Sequence, residues 1–272
     1  MLYLSLISES IALSDLFNAI KSLTRLQTLY FPRSSNYNRG FSVNTFTWPP
    51  NLRVLTLAGG VSDNFLLSAN NIPTSLGTMA IEYCPFAKAG SIRNLLAKLA
   101  PQLTNLKISY HIPTLSYDAL DRLLLICPHI RTLTVAVDYI SSRFFDEDNA
   151  PKPSHPLYLL SLESSGNLGV EQKVGPNDIY IAVCEGGLAN LRQVRVSERL
   201  GWTSAEMRDD VKDLVDLLEG KEEEDYQAKD GLSPSEYLDS GLEDEASEEM
   251  TEWKKARSAS HTVKAGVWIF TS

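Results

Sequence analysis

Cysteine and histidine are the residues of this sequence that could bind a metal ion or act as a nucleophile and its base. The 272-residue chain has four histidines and three cysteines, Cys84, Cys127 and Cys184. No two cysteines have the C-x-x-C spacing of a zinc site, and no H-E-x-x-H motif places two histidines on one helix face. Neither a glycine-rich phosphate loop nor a G-x-S-x-G nucleophile elbow occurs. We therefore expect no catalytic residue, no metal and no cofactor, and predict that the protein is not an enzyme.

The cysteines also bear on the cellular location. An odd number of widely spaced cysteines does not fit a disulfide framework, and the sequence has no Asn-x-Ser/Thr glycosylation motif. The N-terminal residues MLYLSLISES lack the basic region and the continuous apolar region of a signal peptide. No stretch approaches the roughly 20 apolar residues of a membrane span. We expect an intracellular protein, cytoplasmic or nuclear, that does not enter a membrane.

The acidic residues are concentrated in one C-terminal segment. The net charge is −9. Between Ser204 and Glu252 there are 19 acidic and 4 basic residues, a charge of −15, so the remainder carries −9 − (−15) = +6. A net negative chain has no general attraction for nucleic acid or for an anionic membrane. We therefore expect neither as a partner.

A repeated apolar pattern, L-x-x-L-x-L with conservative substitutions, organises residues 1–202. Its copies start at positions 26, 52, 76, 103, 130, 157 and 191. The successive distances are 26, 24, 27, 27, 27 and 34 residues, and five of the six lie in the range of leucine-rich repeats. Met1, Leu4 and Leu6 could form an eighth copy. Ordinary buried strands of an α/β sheet are the alternative, but such strands need not keep a constant spacing.

Amphipathic helices are predicted between the copies of the pattern. Ser14, Ser91 and Ser116 each precede apolar residues at i, i+3 and i+4 spacing, so each serine could cap a helix. A weaker helical pattern runs from Asn177 to Cys184. Strand, turn and helix then form one unit, and stacked units share a continuous core. The predicted fold is an α/β leucine-rich-repeat solenoid, a horseshoe of about seven to eight repeats with a concave parallel β-sheet and convex helices.

Four segments at the helix-to-strand joints resemble a known family. They read PPNLRVLTL, APQLTNLKIS, CPHIRTLTV and GLANLRQVRV, starting at Pro49, Ala100, Cys127 and Gly187. They are similar to the repeat region of F-box/leucine-rich-repeat proteins, fungal ones in particular, over roughly residues 1–202. The resemblance implies a substrate receptor of a cullin-type ubiquitin ligase, in which a separate N-terminal F-box docks onto the adaptor. No F-box-like segment precedes the repeats, so we do not expect this chain itself to bind the adaptor.

The chain is predicted to have four parts. Residues 1–202 form the solenoid, and residues 203–220 form a C-terminal capping helix that ends at Gly220. Residues 221–252 are predicted to be an acidic disordered segment, since they are highly charged and contain few large apolar residues. Residues 253–272 form a C-terminal tail whose apolar end, AGVWIFTS, could add a strand.

The predicted binding surface is the concave face of the sheet. Residues between the core positions of each strand alternate to that face, and they are mostly small and uncharged, which suits a protein partner. The candidate protein-binding residues are Thr28, Tyr30, Thr56, Thr78, Asn105, Lys107, Thr132, Thr134, Ser161, Gln193 and Arg195. Two loops, 32–50 and 141–156, offer Tyr37, Trp48, Phe144 and Phe145 as further anchors, with folding back onto the solenoid as the alternative.

We therefore predict a non-catalytic protein-interaction module, with two alternatives. The acidic segment could make the chain a binder of basic proteins, similar to acidic histone chaperones. The chain could also be a fragment, or an incomplete gene model, with no independent function.

Overall fold

The computed structural model describes residues 2–5, 11–35, 47–146, 148–149, 155–166, 174–230 and 265–270. Within these ranges nine strands form one parallel sheet in which every strand pairs with its neighbours in sequence order. The strands are β1 Leu2–Ser5, β2 Leu26–Tyr30, β3 Val54–Leu57, β4 Thr78–Glu82, β5 Asn105–Ser109, β6 Thr132–Ala136, β7 Leu159–Glu163, β8 Gln193–Ser197 and β9 Gly266–Phe270. The helices are α1 Leu13–Ile20, α2 Asp63–Ser68, α3 Ala89–Leu99, α4 Leu123–Ile126, α5 Pro176–Cys184 and α6 Arg208–Asp230. The predicted α/β class is confirmed.

The repeated apolar positions lie side by side across the sheet. One row pairs Leu55 with Met79, then Leu106, Leu133 and Leu160. The members of this row are 0 to 2% exposed. A second apolar row, two residues later in each strand, is equally buried and contains Leu57, Ile81, Ile108, Val135, Leu162 and Val196. The constant register explains the spacing in the sequence, because a slip of one residue would turn every apolar side chain to the opposite face.

Two of the predicted helix caps are wrong. Helix α1 begins after Ala12 and α3 begins after Lys88, so Ser14 and Ser91 lie inside these helices. The Ser91 hydroxyl donates instead to the Asp63 carboxylate, at 2.6 Å. The helix predicted after Ser116 is reduced to α4, a single turn preceded by hydrogen-bonded turns.

Carboxylates join neighbouring units by accepting backbone N–H groups. Asp63 accepts from the Lys88 nitrogen at 2.7 Å, and the buried Asp121 accepts from the Ser141 nitrogen at 2.6 Å. Burial acts to raise the pKa of Asp63, but the hydrogen bonds from Ser91 and Lys88 outweigh it and lower the pKa overall. These contacts satisfy loop amides that would otherwise lose their water partners.

The joint between α4 and β6 is fixed by a buried histidine. Pro128 cannot continue a helix and disfavours α geometry at the preceding residue, and Cys127 has φ −121° and ψ 72°. The Cys127 carbonyl lies 3.1 Å from Nε2 of His155, and the Leu157 N–H donates to Nδ1 of the same ring at 3.2 Å. The imidazole therefore carries its proton on Nε2 and links two successive units.

The C-terminal part differs from the prediction in one respect. Helix α6 begins at Arg208 and continues past Gly220 to Asp230. The predicted disorder of residues 221–252 is therefore wrong for 221–230, because one glycine costs only about 1 kcal/mol in a helix and good helix formers follow it. Residues 231–252 lie outside the described ranges. Strand β9 pairs with β8 in parallel, with Val194 opposite Val267. No described helix has the length and hydropathy needed to span a membrane.

Three of the four loop aromatics proposed as anchors belong to the core. Trp48, Phe144 and Phe145 are 3%, 0% and 4% exposed. The Trp48 ring packs edge-on against Phe17, with 5.4 Å between ring centroids. Their prediction as partner anchors is wrong, because they cover the apolar core of the adjacent units. Tyr37 lies outside the described residues.

Candidate functional site

The predicted contact residues fall into two rows on one face of the sheet, which we call the polar sheet face. The register aligns positions of the first row as Thr28, Val54, Thr78, Asn105, Thr132, Leu159 and Gln193. It aligns the second row as Tyr30, Thr56, Ala80, Lys107, Thr134, Ser161 and Arg195. Both rows lie opposite the apolar rows of the core.

The rows differ in how accessible their members are. Thr28, Thr56, Ser161 and Gln193 are only 3 to 7% exposed, so the expectation that they are open to a partner is wrong. Neighbouring strands lie only about 4.8 Å apart, so side chains on adjacent strands cover part of one another's surface. The accessible remainder of the predicted set is Tyr30, Thr78, Asn105, Lys107, Thr132, Thr134 and Arg195.

Lys107 forms an ionic centre on this face. Its Nζ lies 3.2 Å from Oε1 of Glu82 and 3.9 Å from Oε1 of Glu163. Glu82 ends β4 and Glu163 ends β7, and the small side chains of Ser109 and Ala136 stand at the ends of the two strands between them. Partial burial acts to lower the pKa of Lys107, but Glu163 and Glu82 outweigh it and raise the pKa above its ordinary value. The ammonium group is therefore held in its charged form.

Beside this centre, cationic and aromatic side chains stack at the carboxyl ends of the strands. The rings of Tyr83 and Tyr110 lie 4.3 Å apart with an interplanar angle of 19°. The Arg33 guanidinium carbon lies 3.7 Å from the Tyr83 ring centroid, and Lys107 Nζ lies 5.1 Å from that of Tyr110. Cations over aromatic faces at these distances attract the ring electrons. We call Arg33, Glu82, Tyr83, Lys107, Tyr110 and Glu163 the charged-aromatic cluster.

The two tyrosines have an unusual backbone conformation. Tyr83 has φ +49° and Tyr110 has φ +63°, in the left-handed region that costs a non-glycine residue roughly 1–2 kcal/mol. Each stands four residues after the central apolar residue of its strand, Met79 or Leu106. The same position after Leu55 is Gly59, with φ +67°. Successive units therefore share this turn, and two of them carry tyrosine where glycine would be unstrained.

Sequence reasoning identified only Lys107 of this cluster, because it followed only the alternation within strands. Arg33, Tyr83 and Tyr110 lie just beyond the strand ends. The available signal was the tyrosine at the same repeat position in two consecutive units, after the motifs M-A-I-E-Y and L-K-I-S-Y.

The cysteines differ in their surroundings. Burial raises the pKa of Cys84 to about 12 and that of Cys127 to about 12, so both thiols stay protonated at neutral pH. The Cys84 thiol donates to the Leu57 carbonyl of the preceding unit at 3.4 Å. Cys184, by contrast, is exposed. In the described part of the chain, no three His, Cys, Asp or Glu residues are grouped so that they could hold a metal ion.

A cavity of about 450 Å³ lies on the helix side and is lined by Ser142, Phe145, Asp146, Asp148, Asp178, Ile181 and Glu185. Burial raises the pKa of Asp178, and the nearby charge of Asp146 acts in the same direction, while a hydrogen bond from Gly175 opposes both. The Gly175 nitrogen donates to Asp178 Oδ2 at 2.8 Å, so this carboxylate caps α5.

Two yeast proteins are similar to most of the chain. The F-box protein YDR306C of Saccharomyces cerevisiae is 38% identical over 222 residues, which are 80% of this chain and 45% of that protein. Protein pof5 of Schizosaccharomyces pombe is 32% identical over 222 residues, which are 81% of this chain and 62% of that protein. The chain thus spans between about half and three fifths of the length of these relatives. The predicted similarity to fungal F-box proteins is confirmed by the first of them.

The chain was also compared with protein-family models and with solved structures. No family model matches the sequence. Among solved structures, a chain in the crystal structure of the Rad7 and Elc1 complex in yeast aligns with a TM-score of 0.33 and 13% identity, covering 69% of this chain and 72% of that chain.

Proposed function

We propose that the chain is a non-catalytic protein-interaction module that contacts its partner through the polar sheet face. The observation that carries this proposal is the charged-aromatic cluster at the carboxyl ends of the strands. Partly exposed tyrosine and arginine are the residue types that dominate the energetics of protein interfaces. The apolar rows on the other side give these residues a rigid base.

We further propose a repeat architecture for the chain and a class of partner protein. The strands and helices would form a leucine-rich-repeat horseshoe of about seven to eight repeats, with the polar sheet face on its concave side. By similarity to F-box protein YDR306C, the partner would be a protein selected for a ubiquitin ligase. Adaptor binding would belong to an F-box, and the chain would act inside the cell, in the cytoplasm or nucleus.

Site-specific photocrosslinking from the two sides of the molecule tests the proposal. A photoreactive phenylalanine at Arg195 or Thr132, on the polar sheet face, is compared with one at the exposed Asn94 of α3. In a fungal cell extract we expect a discrete crosslinked protein from the first two positions and none from Asn94. Crosslinks that are equal from both sides, or absent from all three positions, would contradict the proposal.

A further inference from the structure

We propose that the charged-aromatic cluster binds a carboxylate side chain of an acidic segment in the partner protein, and that Arg33 is the residue that pairs with it. This inference rests on the proposed function, since it names the chemistry of the partner at the same face. It depends on which groups of the cluster are already engaged and which have hydrogen-bonding capacity left.

Lys107 has carboxylate partners, whereas Arg33 has none among the described residues. The Lys107 ammonium group contacts two carboxylates, those of Glu82 and Glu163, at 3.2 and 3.9 Å. Arg33 is exposed, and no carboxylate among the described residues lies within ion-pair distance of it. Its guanidinium plane uses one face on Tyr83, at 3.7 Å. Because guanidinium N–H groups point outward in the plane, stacking leaves them able to bind a carboxylate in bidentate fashion.

The tyrosine hydroxyls add donors of the same kind. No described residue forms a hydrogen bond with the phenol oxygen of Tyr83 or Tyr110. Burial raises the pKa of Tyr83, opposed in part by the charge of Arg33. That hydroxyl is therefore protonated at neutral pH and can donate. The Arg33 guanidinium, whose N–H groups have no hydrogen-bond partner among the described residues, lies beside these phenol O–H groups and suits a ligand that accepts hydrogen bonds.

A cationic ligand fits the same cluster less well. Glu82 and Glu163 could attract a partner lysine or arginine, but both already contact Lys107. A cation would have to displace an ammonium group that both carboxylates hold in place. The acidic ligand needs no such displacement, and it meets Arg33, which has no carboxylate partner in the described part of the chain.

The backbone of the two tyrosines supports a binding role. Stacking of their rings is worth about 0.5–1.5 kcal/mol, which is comparable to the cost of one left-handed non-glycine residue. Two such residues are present, so the stack yields little net stability. Gly59 shows that the turn itself accepts glycine. Costly conformations that the fold does not need are found where a side chain must be presented for function.

Peptide titration of the full chain tests the inference. The probes are two short fluorescent peptides of identical sequence, except that glutamates at alternate positions in one are glutamines in the other. The proteins are the wild type, Arg33→Gln, Tyr83→Asn and the matched control Arg53→Gln. Arg53 is also exposed, but it precedes β3 and so lies at the opposite edge of the parallel sheet. Asparagine tolerates the left-handed conformation, so Tyr83→Asn removes the ring without adding strain.

We expect the glutamate peptide to bind the wild type about tenfold more tightly than the glutamine peptide, which corresponds to one charge-assisted contact. Arg33→Gln should remove this preference. Tyr83→Asn should weaken binding of the glutamate peptide several-fold, while its melting temperature stays within a few degrees of that of the wild type. The control Arg53→Gln should change the affinity less than twofold. Equal losses in Arg33→Gln and Arg53→Gln would overturn the inference, because they would indicate general charge attraction. A large fall in melting temperature for Tyr83→Asn would assign the tyrosines to stability instead.

One further variant tests whether the chain's own acidic C-terminal segment, rather than a partner protein, occupies the charged-aromatic cluster. Glu243→Gln, Asp244→Asn and Glu245→Gln together neutralise acidic residues of the chain's own C-terminal segment. If only this variant binds the glutamate peptide, the cluster is occupied by the chain itself, and the inference about a partner is wrong. If the Arg195 crosslink persists unchanged in Arg33→Gln, the inference fails while the proposed function stands. If neither Arg195 nor Thr132 gives a crosslink in the chain without Arg33→Gln, the proposed function fails.

Discussion

The two faces of the same sheet differ in how regularly they are built. On the core face, the strands from β3 to β8 present only Leu, Met, Ile and Val in two rows, and all of them are buried. On the polar sheet face, the second row changes from Thr56 to Lys107 to Arg195 across the same strands. The backbone register is common to both faces. It therefore determines which face each side chain lies on, but it does not determine whether that side chain is apolar, polar or charged.

The difference follows from the forces on each side. Burial of apolar surface is non-directional and roughly proportional to area, so any apolar residue of suitable size can occupy each core position. Ion pairs and ring stacks need particular partners at particular distances, as Lys107 has with Glu82 and Glu163. Stability should therefore depend on the core face, and recognition on the polar sheet face. Substitutions on each face test this division.

The largest effect is expected from Leu133→Ala in the centre of the core face. Leu133 is 0% exposed, and removal of its side chain should cost about 2–5 kcal/mol through lost burial and a residual cavity. Its neighbour Thr132, on the polar sheet face, provides the matched control, and Thr132→Ala should change the free energy of unfolding by less than about 0.5 kcal/mol. Urea denaturation measures both. Similar losses for the two variants would show that the faces share the stability.

The next largest effect on stability is expected from protonation of His155, a buried polar residue. Burial lowers the pKa of His155, against hydrogen bonds to backbone groups that would raise it. A histidine with a lowered folded pKa stabilises the fold fully above its unfolded pKa of about 6.5, and this stabilisation is lost as the pH falls toward the folded value. Protonation would also set the second ring N–H against the Leu157 N–H that now donates to Nδ1.

The loss should approach about 1.4 kcal/mol for each pH unit below 6.5, until the folded pKa is reached. Urea titrations at several values between about pH 7.5 and pH 5 would measure it. His155→Gln should flatten this dependence, whereas His111→Gln, at an exposed site, should leave it intact. If His111→Gln removes the slope and His155→Gln does not, the buried imidazole is not its source.

The same division explains which features the sequence could predict. The rows through Leu55 and Leu57 follow from spacing alone, since a constant register requires a constant apolar pattern. The contact of Lys107 with Glu163 joins residues two strands apart, and it depends on side-chain reach, which no spacing encodes. The single turn of α4 was predicted as a longer helix, because the pattern after Ser116 cannot show that tertiary packing favours turns there.

A smaller effect should separate two threonines that differ in their hydrogen bonds. Thr28 is 3% exposed, and its hydroxyl has no partner among the described residues. The Thr104 hydroxyl donates to the Gly77 carbonyl at 3.1 Å. Thr28→Val should therefore be neutral or stabilising by up to about 1 kcal/mol, whereas Thr104→Val should cost about 1 kcal/mol. Thermal unfolding of the two variants should show shifts of opposite sign, and a destabilised Thr28→Val would mean that its hydroxyl is satisfied.

The smallest effect on stability is expected from Glu82→Gln in the charged-aromatic cluster. The side chains of Lys107 and Glu82 are 33% and 18% exposed, and ion pairs with this degree of solvent access are typically worth less than about 1 kcal/mol. Glu163→Gln removes the longer contact of Lys107, at 3.9 Å, and should lower the free energy of unfolding by still less.

Because both glutamates raise the pKa of Lys107, the stabilisation from these ion pairs should be full below pH 10.5. It should be lost only as the pH rises through the raised pKa of Lys107. Urea denaturation at neutral pH, repeated at high salt, measures the cost. A loss of several kcal/mol that salt does not reduce would show that the cluster supports the fold as the apolar rows do, and the division between the two faces would then be wrong.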